Sequence, residues 1–302
     1  MHWHGFPGSL GGAPIVSHLL LDRVAAPPDL APLLPERLAL LPLPYMANSH
    51  PIARPLPCAA LPPPAGAPPA ARAALLGTAA VPRGGAALLA VFSQPYKVDA
   101  EALAAWAAAA ANAHATLWVL RHNAASERPL RAAAARAGLR GAAAQARLVF
   151  TELLPPAEEL RTKALADVLL DTPLFGAHTT GVDALWAGLP LLTAPGEALP
   201  ARVPASLALG AGGAAAVARN RADYRAVLLR LAASPRARAR ARAAVRAARG
   251  CGEPGAALGG VWRVAEFEEG LEAMYRALWE ERVTRGEGDR AGAHLVVAAR
   301  ES

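Results

Sequence analysis

The sequence of 302 residues is poor in cysteine and in aromatic residues. Its two cysteines are Cys58 and Cys251, and aromatic residues make up 5% of the chain. Two cysteines are too few for the disulfide framework of a small secreted domain, and they do not have the spacing of a zinc site. The eight histidines do not have the spacing of metal ligands either, so we expect no bound metal.

Long apolar runs and a targeting signal are lacking as well. No stretch of about 18 apolar residues is free of charge, as a membrane-spanning helix requires. The first residues do not have the basic and apolar zones of a signal peptide. We therefore expect an intracellular protein, cytoplasmic or nuclear, with no membrane partner.

Lysine is scarce although the chain is basic. The formal net charge is +7, and Lys97 and Lys163 are the only lysines. Six arginines lie between Ser234 and Gly250, which have the pattern of a helix start and a helix end. Because no aromatic residues alternate with these arginines, we interpret them as a solvated helix face and do not expect nucleic acid as a partner. A basic patch for nucleic acid or an acidic protein is the alternative.

Composition divides the chain into four parts. Residues 1–50 contain two short apolar segments with the pattern of strands. Residues 51–85 are dominated by proline and alanine, so we interpret them as a linker or insertion without a helix or a central strand. Residues 86–285 have regular patterns, and residues 286–302 form a tail.

Strand and helix patterns alternate along residues 86–193, and the last third is helical. The strand patterns lie at 87–92, 116–120, 147–150, 168–170 and 191–193, and the helical patterns at 99–111, 127–137, 157–165 and 180–187. This alternation predicts an α/β fold with a parallel sheet covered by helices on both faces. In the last third, six residues are spaced for one helix face that packs on the core: Phe267, Leu271, Met274, Tyr275, Leu278 and Trp279.

A strand end, a glycine-bearing loop and a helix start follow one another in residues 170–190. A helix start presents unpartnered N–H groups and positive partial charge, so a phosphate binds well there. His178, Thr179 and Thr180 add side-chain donors at this place. Asp183 fits two interpretations: a capping box with Thr180, which is purely structural, or an acidic residue that binds a ribose hydroxyl pair beside a diphosphate.

A longer set of motifs resembles the O-linked N-acetylglucosamine transferase family, whose superfamily includes the plant SPINDLY proteins. The matching motifs are a Gly-Phe-Pro-Gly-Ser loop at 5–9, a Gln-x-x-Lys turn at 94–97, a Leu-Ala-Asp string at 165–167, a His-Thr-Thr-Gly-x-Asp string at 178–183 and a Pro-Gly-Glu segment at 195–197. They occur in the family's order and cover most of residues 3–50 and 88–282. Ligands bind at the carboxyl ends of parallel strands, so the motifs at 94–97 and 178–183 can converge on one crevice.

The resemblance implies a GT-B fold, in which two Rossmann-like lobes face a cleft and the donor lies mainly on the C-terminal lobe. It implies an inverting, metal-independent transfer of N-acetylglucosamine from UDP-GlcNAc to serine or threonine of intracellular proteins, without a cofactor. SPINDLY-like relatives make GDP-fucose the alternative donor. Residues 86–285 are then the nucleotide-sugar-binding lobe.

The same resemblance assigns roles to six residues. Lys97 would meet the diphosphate as the catalytic point charge, and Gln94 would donate nearby. The phosphates would be held at the helix start by His178, Thr179 and Thr180, and Asp183 would bind the ribose hydroxyls.

Two departures from the family bear on activity. The resemblance starts at a loop well inside the family's catalytic region, so we interpret residues 1–50 as a remnant of the N-terminal lobe and expect the rest of that lobe and the substrate-choosing repeats to be missing. Glu159 and Thr162 stand where the family has histidine and arginine, and Arg161 or Lys163 would have to compensate the charge of Glu159. The alternative to a complete enzyme is a nucleotide-sugar-binding module or gene fragment that needs a separate N-terminal lobe or a repeat-domain protein.

Overall fold

A computed structural model describes residues 1–3, 8–12, 16–153, 155–252, 256–285 and 294–298. Most of the Gly-Phe-Pro-Gly-Ser loop and of the predicted tail therefore lies outside the described residues. The strands are β1 (His18–Asp22), β2 (Arg37–Leu41), β3 (Leu88–Val91), β4 (Thr116–Leu120), β5 (Leu148–Thr151), β6 (Val168–Leu170), β7 (Leu191–Leu192) and β8 (Leu295–Val296).

Helices follow most of these strands. They are α1 (His50–Ala53), α2 (Pro69–Leu76), α3 (Ala100–Asn112), α4 (Glu127–Arg136), α5 (Ala142–Gln145), α6 (Pro156–Lys163), α7 (Thr179–Trp186), α8 (Leu199–Gly210), α9 (Arg221–Ala233), α10 (Pro235–Arg246) and α11 (Val264–Arg285). None of the helices in the described ranges is long and apolar enough to span a bilayer.

The strands form two parallel sheets. One has the order β1-β2-β8, and the other has the order β5-β4-β3-β6-β7. The second order is that of a Rossmann fold, in which the direction of winding reverses between the first and the fourth strand of the sheet, here β3 and β6. The predicted α/β fold with a parallel sheet is therefore confirmed.

Helices cover both faces of the five-stranded sheet. Alternate residues of a strand point to opposite faces, and in β3 the side chains of Leu88 and Ala90 join one buried cluster while Leu89 and Val91 join another. Local signals fix the helix ends. The Asp99 side chain accepts a hydrogen bond from the backbone N–H of Ala102 at 2.6 Å, which caps α3 as its position before an alanine-rich run predicts.

The prediction that the linker or insertion at residues 51–85 contains no helix is wrong. Helix α2 begins directly after Pro68 with a proline in its first turn, where the missing N–H costs nothing. The helix packs on the five-stranded sheet, because the guanidinium of Arg72 donates to Asp167 Oδ1 at 2.7 Å and to the carbonyl of Leu165 at 3.0 Å. A proline-rich segment can thus be part of the core.

The prediction that the arginines between Ser234 and Gly250 are solvated is wrong for three of the six. Arg238, Arg242 and Arg249 are buried. The guanidinium of Arg238 donates to the carbonyl of Leu231 at 2.8 Å. Arg242 donates to the carbonyls of Ala164 and Ala166 and lies 3.8 Å from the carboxylate of Asp167. For Arg238 and Arg242, burial is tolerated because backbone carbonyls accept from their guanidinium groups and the Asp167 carboxylate lies nearby.

The apolar face of α11 packs on the core only in part. Met274 is fully buried, and Phe267, Leu271 and Leu278 pack against the core as predicted. Tyr275 and Trp279 are 41% and 69% exposed, so their placement on the packed face is wrong.

The two cysteines form a disulfide, which their number alone did not predict. Cys58 and Cys251 are 193 residues apart in sequence, and their Cα atoms lie 5.5 Å apart. The bond joins the proline- and alanine-rich segment to the turn that follows α10. The pair therefore forms one long-range crosslink.

Candidate functional site

The two predicted motifs lie at the carboxyl ends of β3 and β6, where the sheet order reverses. The hydroxyl oxygens of Ser93 and Thr172, each just past its strand, are 3.2 Å apart. In open parallel sheets this reversal opens a crevice in which ligands bind. The turn after β3 and the loop after β6 therefore share one edge of the molecule.

Lys97 and His178 meet at Phe175. The ammonium of Lys97 lies 4.1 Å from the centre of the Phe175 ring and donates to the carbonyl of Gly176 at 3.4 Å. The rings of Phe175 and His178 stack with their centres 5.1 Å apart. The structure thus brings the lysine and the histidine to one place, and sequence reasoning missed the aromatic ring that joins them.

A buried carboxylate lies behind the lysine. Asp171 Oδ1 accepts from the backbone N–H of Ala177 at 2.7 Å, and Oδ2 accepts from the hydroxyl of Thr193 at 2.6 Å. Burial raises the pKa of Asp171 to about 6, against these hydrogen bonds and the charge of Lys97. Burial lowers the pKa of Lys97, and the Asp171 carboxylate opposes that shift.

Gly176 lets the loop approach α8 closely. A Cβ atom on Gly176 would lie 2.2 Å from Pro204 Cγ and 2.8 Å from Pro204 Cδ, so no other residue fits without displacement. Its backbone N–H donates to the carbonyl of Pro200 at 3.0 Å. The same carbonyl lies 3.1 Å from Nε2 of His178, which therefore carries a proton and donates. The loop and the histidine ring are fixed together.

Helix α7 begins at Thr179, with His178 as its N-cap and no side-chain capping bond. The first N–H groups of the helix have no acceptor within it, and they carry positive partial charge. Thr179 is exposed and Thr180 is half-buried, so both hydroxyls stand at the helix start. The predicted capping box between Thr180 and Asp183 is wrong, because the Asp183 carboxylate has other partners.

Asp183 is buried in a cluster of charges. Its Oδ1 accepts from Nε2 of His50 at 2.7 Å and from the Arg54 guanidinium at 3.0 Å, and its Oδ2 accepts from the ammonium of Lys163 at 3.0 Å. Burial raises the pKa of Asp183, but the hydrogen bond from His50 and the charge of Lys163 outweigh it, and the pKa falls to about 2. The carboxylate is therefore ionised at any physiological pH.

Lys163 and Arg54 also compensate the negative charge of Glu159. The ammonium of Lys163 lies 2.5 Å from Glu159 Oε1, and the guanidinium of Arg54 lies 3.4 Å from Oε2. Lys163 is thus one of the two residues proposed to neutralise this carboxylate, whereas Arg161 is exposed. Sequence reasoning missed His50 and Arg54, because they lie in or just before the segment interpreted as a linker.

Gln94 stands at the start of the turn that ends in Lys97. Its side chain is exposed and makes no hydrogen bond to the described part of the chain. The crevice therefore combines one ammonium, two hydroxyls, an imidazole and a helix start, which together suit an anion. Among the described residues, no three His, Cys, Asp or Glu side chains group as metal ligands.

Comparison with known proteins identifies relatives of this chain. The model of glycosyl transferase family 41 matches residues 79–253, which is more than half of the chain. The probable UDP-N-acetylglucosamine–peptide N-acetylglucosaminyltransferase SEC of Arabidopsis thaliana is 32% identical over 216 residues, which are 69% of this chain and 20% of the relative. The UDP-N-acetylglucosamine–peptide N-acetylglucosaminyltransferase of Caenorhabditis elegans is 38% identical over 141 residues, 46% of this chain and 12% of the relative.

A solved structure extends the likeness to the fold. A mutant of the Thermobaculum terrenum O-GlcNAc transferase is 26% identical, with a TM-score of 0.66 over 87% of this chain and 45% of that one. This chain spans about one fifth of the Arabidopsis relative and less than half of the solved bacterial chain. The chain belongs to glycosyl transferase family 41 and has the α/β, GT-B-type fold of the O-GlcNAc transferases.

Proposed function

We propose that this chain binds UDP-GlcNAc in the crevice between β3 and β6 and supplies the donor site for an inverting, metal-independent transfer of N-acetylglucosamine to serine or threonine of a protein. The observation that carries the proposal is the meeting of Lys97 and His178 on Phe175, beside the start of α7. Family membership supports a nucleotide-sugar donor and a protein acceptor.

The diphosphate is the leaving group, so the reaction needs its growing negative charge stabilised. Lys97 offers a point charge, the N–H groups of α7 offer positive partial charge, and Thr179 and Thr180 offer hydroxyl donors. His178 donates through Nε2 to a backbone carbonyl, which orients its ring at the same place. Fixed donors of this kind act without a metal ion, because they need no reorganisation as the charge develops.

The remaining parts of the donor have candidates as well. Asp183 lies one turn into α7, where its carboxylate can accept from a ribose hydroxyl, and Gln94 extends into solvent near Lys97.

The acceptor hydroxyl attacks the anomeric carbon from the face opposite the diphosphate, which inverts the configuration. An N-terminal lobe or a repeat-domain protein inside the cell would supply the base and the acceptor, and this chain alone would then be a donor-binding module.

A GDP-linked donor such as GDP-fucose is the second candidate, and Glu159 is the observation that favours it. Glu159 shares Lys163 and Arg54 with Asp183, so it lies within reach of a base whose ribose is at Asp183. Guanine offers two adjacent N–H donors to a carboxylate, and uracil offers one.

Isothermal titration calorimetry with UDP and with GDP tests the donor site. We expect UDP to bind the purified chain more tightly than GDP, and the reverse order would select the GDP-linked donor. A Kd of about 1 mM corresponds to a binding free energy of only about −4 kcal/mol. If neither nucleotide binds at about millimolar concentration, the donor site is disproved. Transfer of labelled N-acetylglucosamine to an acceptor peptide, in the presence and absence of EDTA, tests the reaction and its independence of metal.

A further inference from the structure

Asp183 has three donors on its carboxylate before any nucleotide is present. His50 and Arg54 both donate to Oδ1, and Lys163 donates to Oδ2. Among the residues that the structure describes, no other group donates to this side chain. An ionised carboxylate has about four acceptor positions, two on each oxygen. The chain's own side chains therefore fill Oδ1 and leave one position on Oδ2.

Two of these donors come from outside the region that matches the family model. His50 and Arg54 lie in and just after α1, and the match begins at residue 79. His50 is 7% exposed, and its ring packs edge-on against Trp186 with ring centres 6.2 Å apart. The indole N–H of Trp186 donates to the carbonyl of Arg54 at 2.8 Å. The two residues are thus fixed on the carboxylate by packing as well as by hydrogen bonds.

The stretch of chain that carries them is anchored at several further points. We call residues 50–62 the α1 strap. Its anchors beyond Asp183 are the Cys58–Cys251 disulfide, the hydrogen bond from Arg249 to the carbonyl of Leu56 and the hydrogen bond from Arg246 to the carbonyl of Pro62. A strap held in this way keeps His50 and Arg54 in place when a ligand arrives.

We propose that His50 and Arg54 are positioning residues that saturate one oxygen of Asp183, so that this site recognises the ribose of its nucleotide through a single hydroxyl. The inference rests on the proposed nucleotide site and adds to it a specificity that the family assignment does not supply. A ribose hydroxyl donates to the open position on Oδ2, and the second hydroxyl of the ribose finds no acceptor on this carboxylate.

Calorimetric binding of monodeoxy nucleotides tests the proposal. The probes are UDP, 2′-deoxy-UDP and 3′-deoxy-UDP, or the corresponding GDP series if GDP is the nucleotide that binds. For the wild-type protein we expect one deoxy analogue to bind about tenfold more weakly than the parent, because a hydrogen bond to a charged group is lost, and the other to bind within about twofold.

Variants of the strap distinguish positioning from mere stability. His50→Phe keeps an aromatic ring against Trp186 but removes the donor, so the difference between the two analogues should shrink to within about threefold. His50→Gln retains an N–H donor and should restore most of the difference. Arg54→Met removes the donor from a side chain that is 30% exposed, and it provides the same test with little risk to folding. The melting temperature of each variant is measured in parallel.

Each outcome has a definite meaning. If the wild-type protein loses affinity equally for both analogues, or for neither, while UDP or GDP binds, the single-hydroxyl inference is wrong and the nucleotide site stands. Unchanged discrimination in both His50→Phe and Arg54→Met would show that these residues do not position Asp183. If neither UDP nor GDP binds the wild-type protein, the proposed function fails and the inference fails with it.

Discussion

Asp171 shows how a single buried carboxylate can trade stability for the geometry of a site. It fixes the loop of residues 171–177 through Ala177 and Thr193, yet its burial raises its pKa from 3.8 to about 6. The carboxyl group of Asp171 therefore binds its proton more tightly in the folded protein than in the unfolded chain. At pH values at which the Asp171 carboxylate is ionised, it destabilises the folded protein. Its charge also opposes the lowering of the Lys97 pKa.

The first prediction concerns Asp171→Asn. As pH rises from about 4 to about 6, the wild-type protein should lose up to about 3 kcal/mol of unfolding free energy through this group, because the folded pKa exceeds the unfolded pKa. The Asp171→Asn variant has no titrating carboxylate at this position, so it does not lose this unfolding free energy. Its stability relative to wild type should therefore increase over that interval, as measured by urea denaturation at several pH values.

Asp29→Asn is the matched control, because Asp29 is an exposed acid between β1 and β2. Its stability relative to wild type should be the same at each pH. A stability difference for Asp171→Asn that is also independent of pH would show that Asp171 keeps an ordinary pKa in the folded protein.

The sequence was sufficient to select candidate site residues, but it did not predict which side chains contact them. The family resemblance selected Lys97, His178 and Asp183 as candidates, and the strand pattern indicated that their motifs lie at one end of the sheet. Neither could identify Phe175, whose ring joins the first two, or His50 and Arg54, which bind the third from more than 100 residues away. Contacts over such distances depend on the whole fold.

At the scale of elements, buried arginines of α10 bind backbone carbonyls beside the five-stranded sheet. The buried face of α10 carries Arg238 and Arg242 beside Ala241 and Val245. The Arg242 guanidinium donates to carbonyls between α6 and β6, and the Arg238 guanidinium donates to carbonyls near the end of α9 and before β3. Burial lowers the pKa of Arg242 to about 10, against the attraction of Asp167, so it remains charged. The spacing of 238 and 242 marks one helix face, but only the partners show that this face is buried.

The second prediction compares two arginines of α10. Arg242→Met should destabilise the protein by about 3 kcal/mol, because two carbonyls lose their donor and Asp167 loses a cation. Arg240→Met changes an exposed position of the same helix and should alter stability by less than about 0.5 kcal/mol. Urea denaturation of both variants measures the difference. Equal effects would mean that α10 docks through its apolar residues alone.

The α1 strap is the element for which sequence reasoning failed most clearly. Its prolines and alanines are typical of a linker. Nevertheless, the disulfide and hydrogen bonds from Arg246 and Arg249 anchor it to α10 and to the turn after α10. A high proline content predicts that a segment has little regular secondary structure. It does not predict whether the segment packs against the rest of the protein.

The third prediction is that reduction of Cys58–Cys251 destabilises the protein. The bond closes a loop of 193 residues, and chain entropy gives such a crosslink up to about 5 kcal/mol. Thermal unfolding with a reductant should therefore occur roughly 10 °C lower than without it. The double variant Cys58→Ser, Cys251→Ser should melt at the lower temperature under both conditions. Two free thiols in the native, untreated protein would contradict the crosslink.

At the scale of the whole molecule, the order of strands decides where the site lies. The alternation of strand and helix patterns predicted the parallel sheet, and most element boundaries were predicted to within two residues, because buried strands and capped helices have strong local signals. The strand order, with its reversal between β3 and β6, follows from packing. That reversal places two motifs about 80 residues apart at one crevice.

The central claim is that this crevice binds a pyrophosphate through Lys97. Calorimetric titration of UDP into wild-type protein, Lys97→Gln and Arg140→Gln tests it most directly. Arg140 is an exposed arginine between α4 and β5, at the opposite edge of the sheet. We predict that UDP binds wild type and Arg140→Gln within about twofold of each other and binds Lys97→Gln at least about tenfold more weakly. Equal affinity for all three proteins would contradict the account.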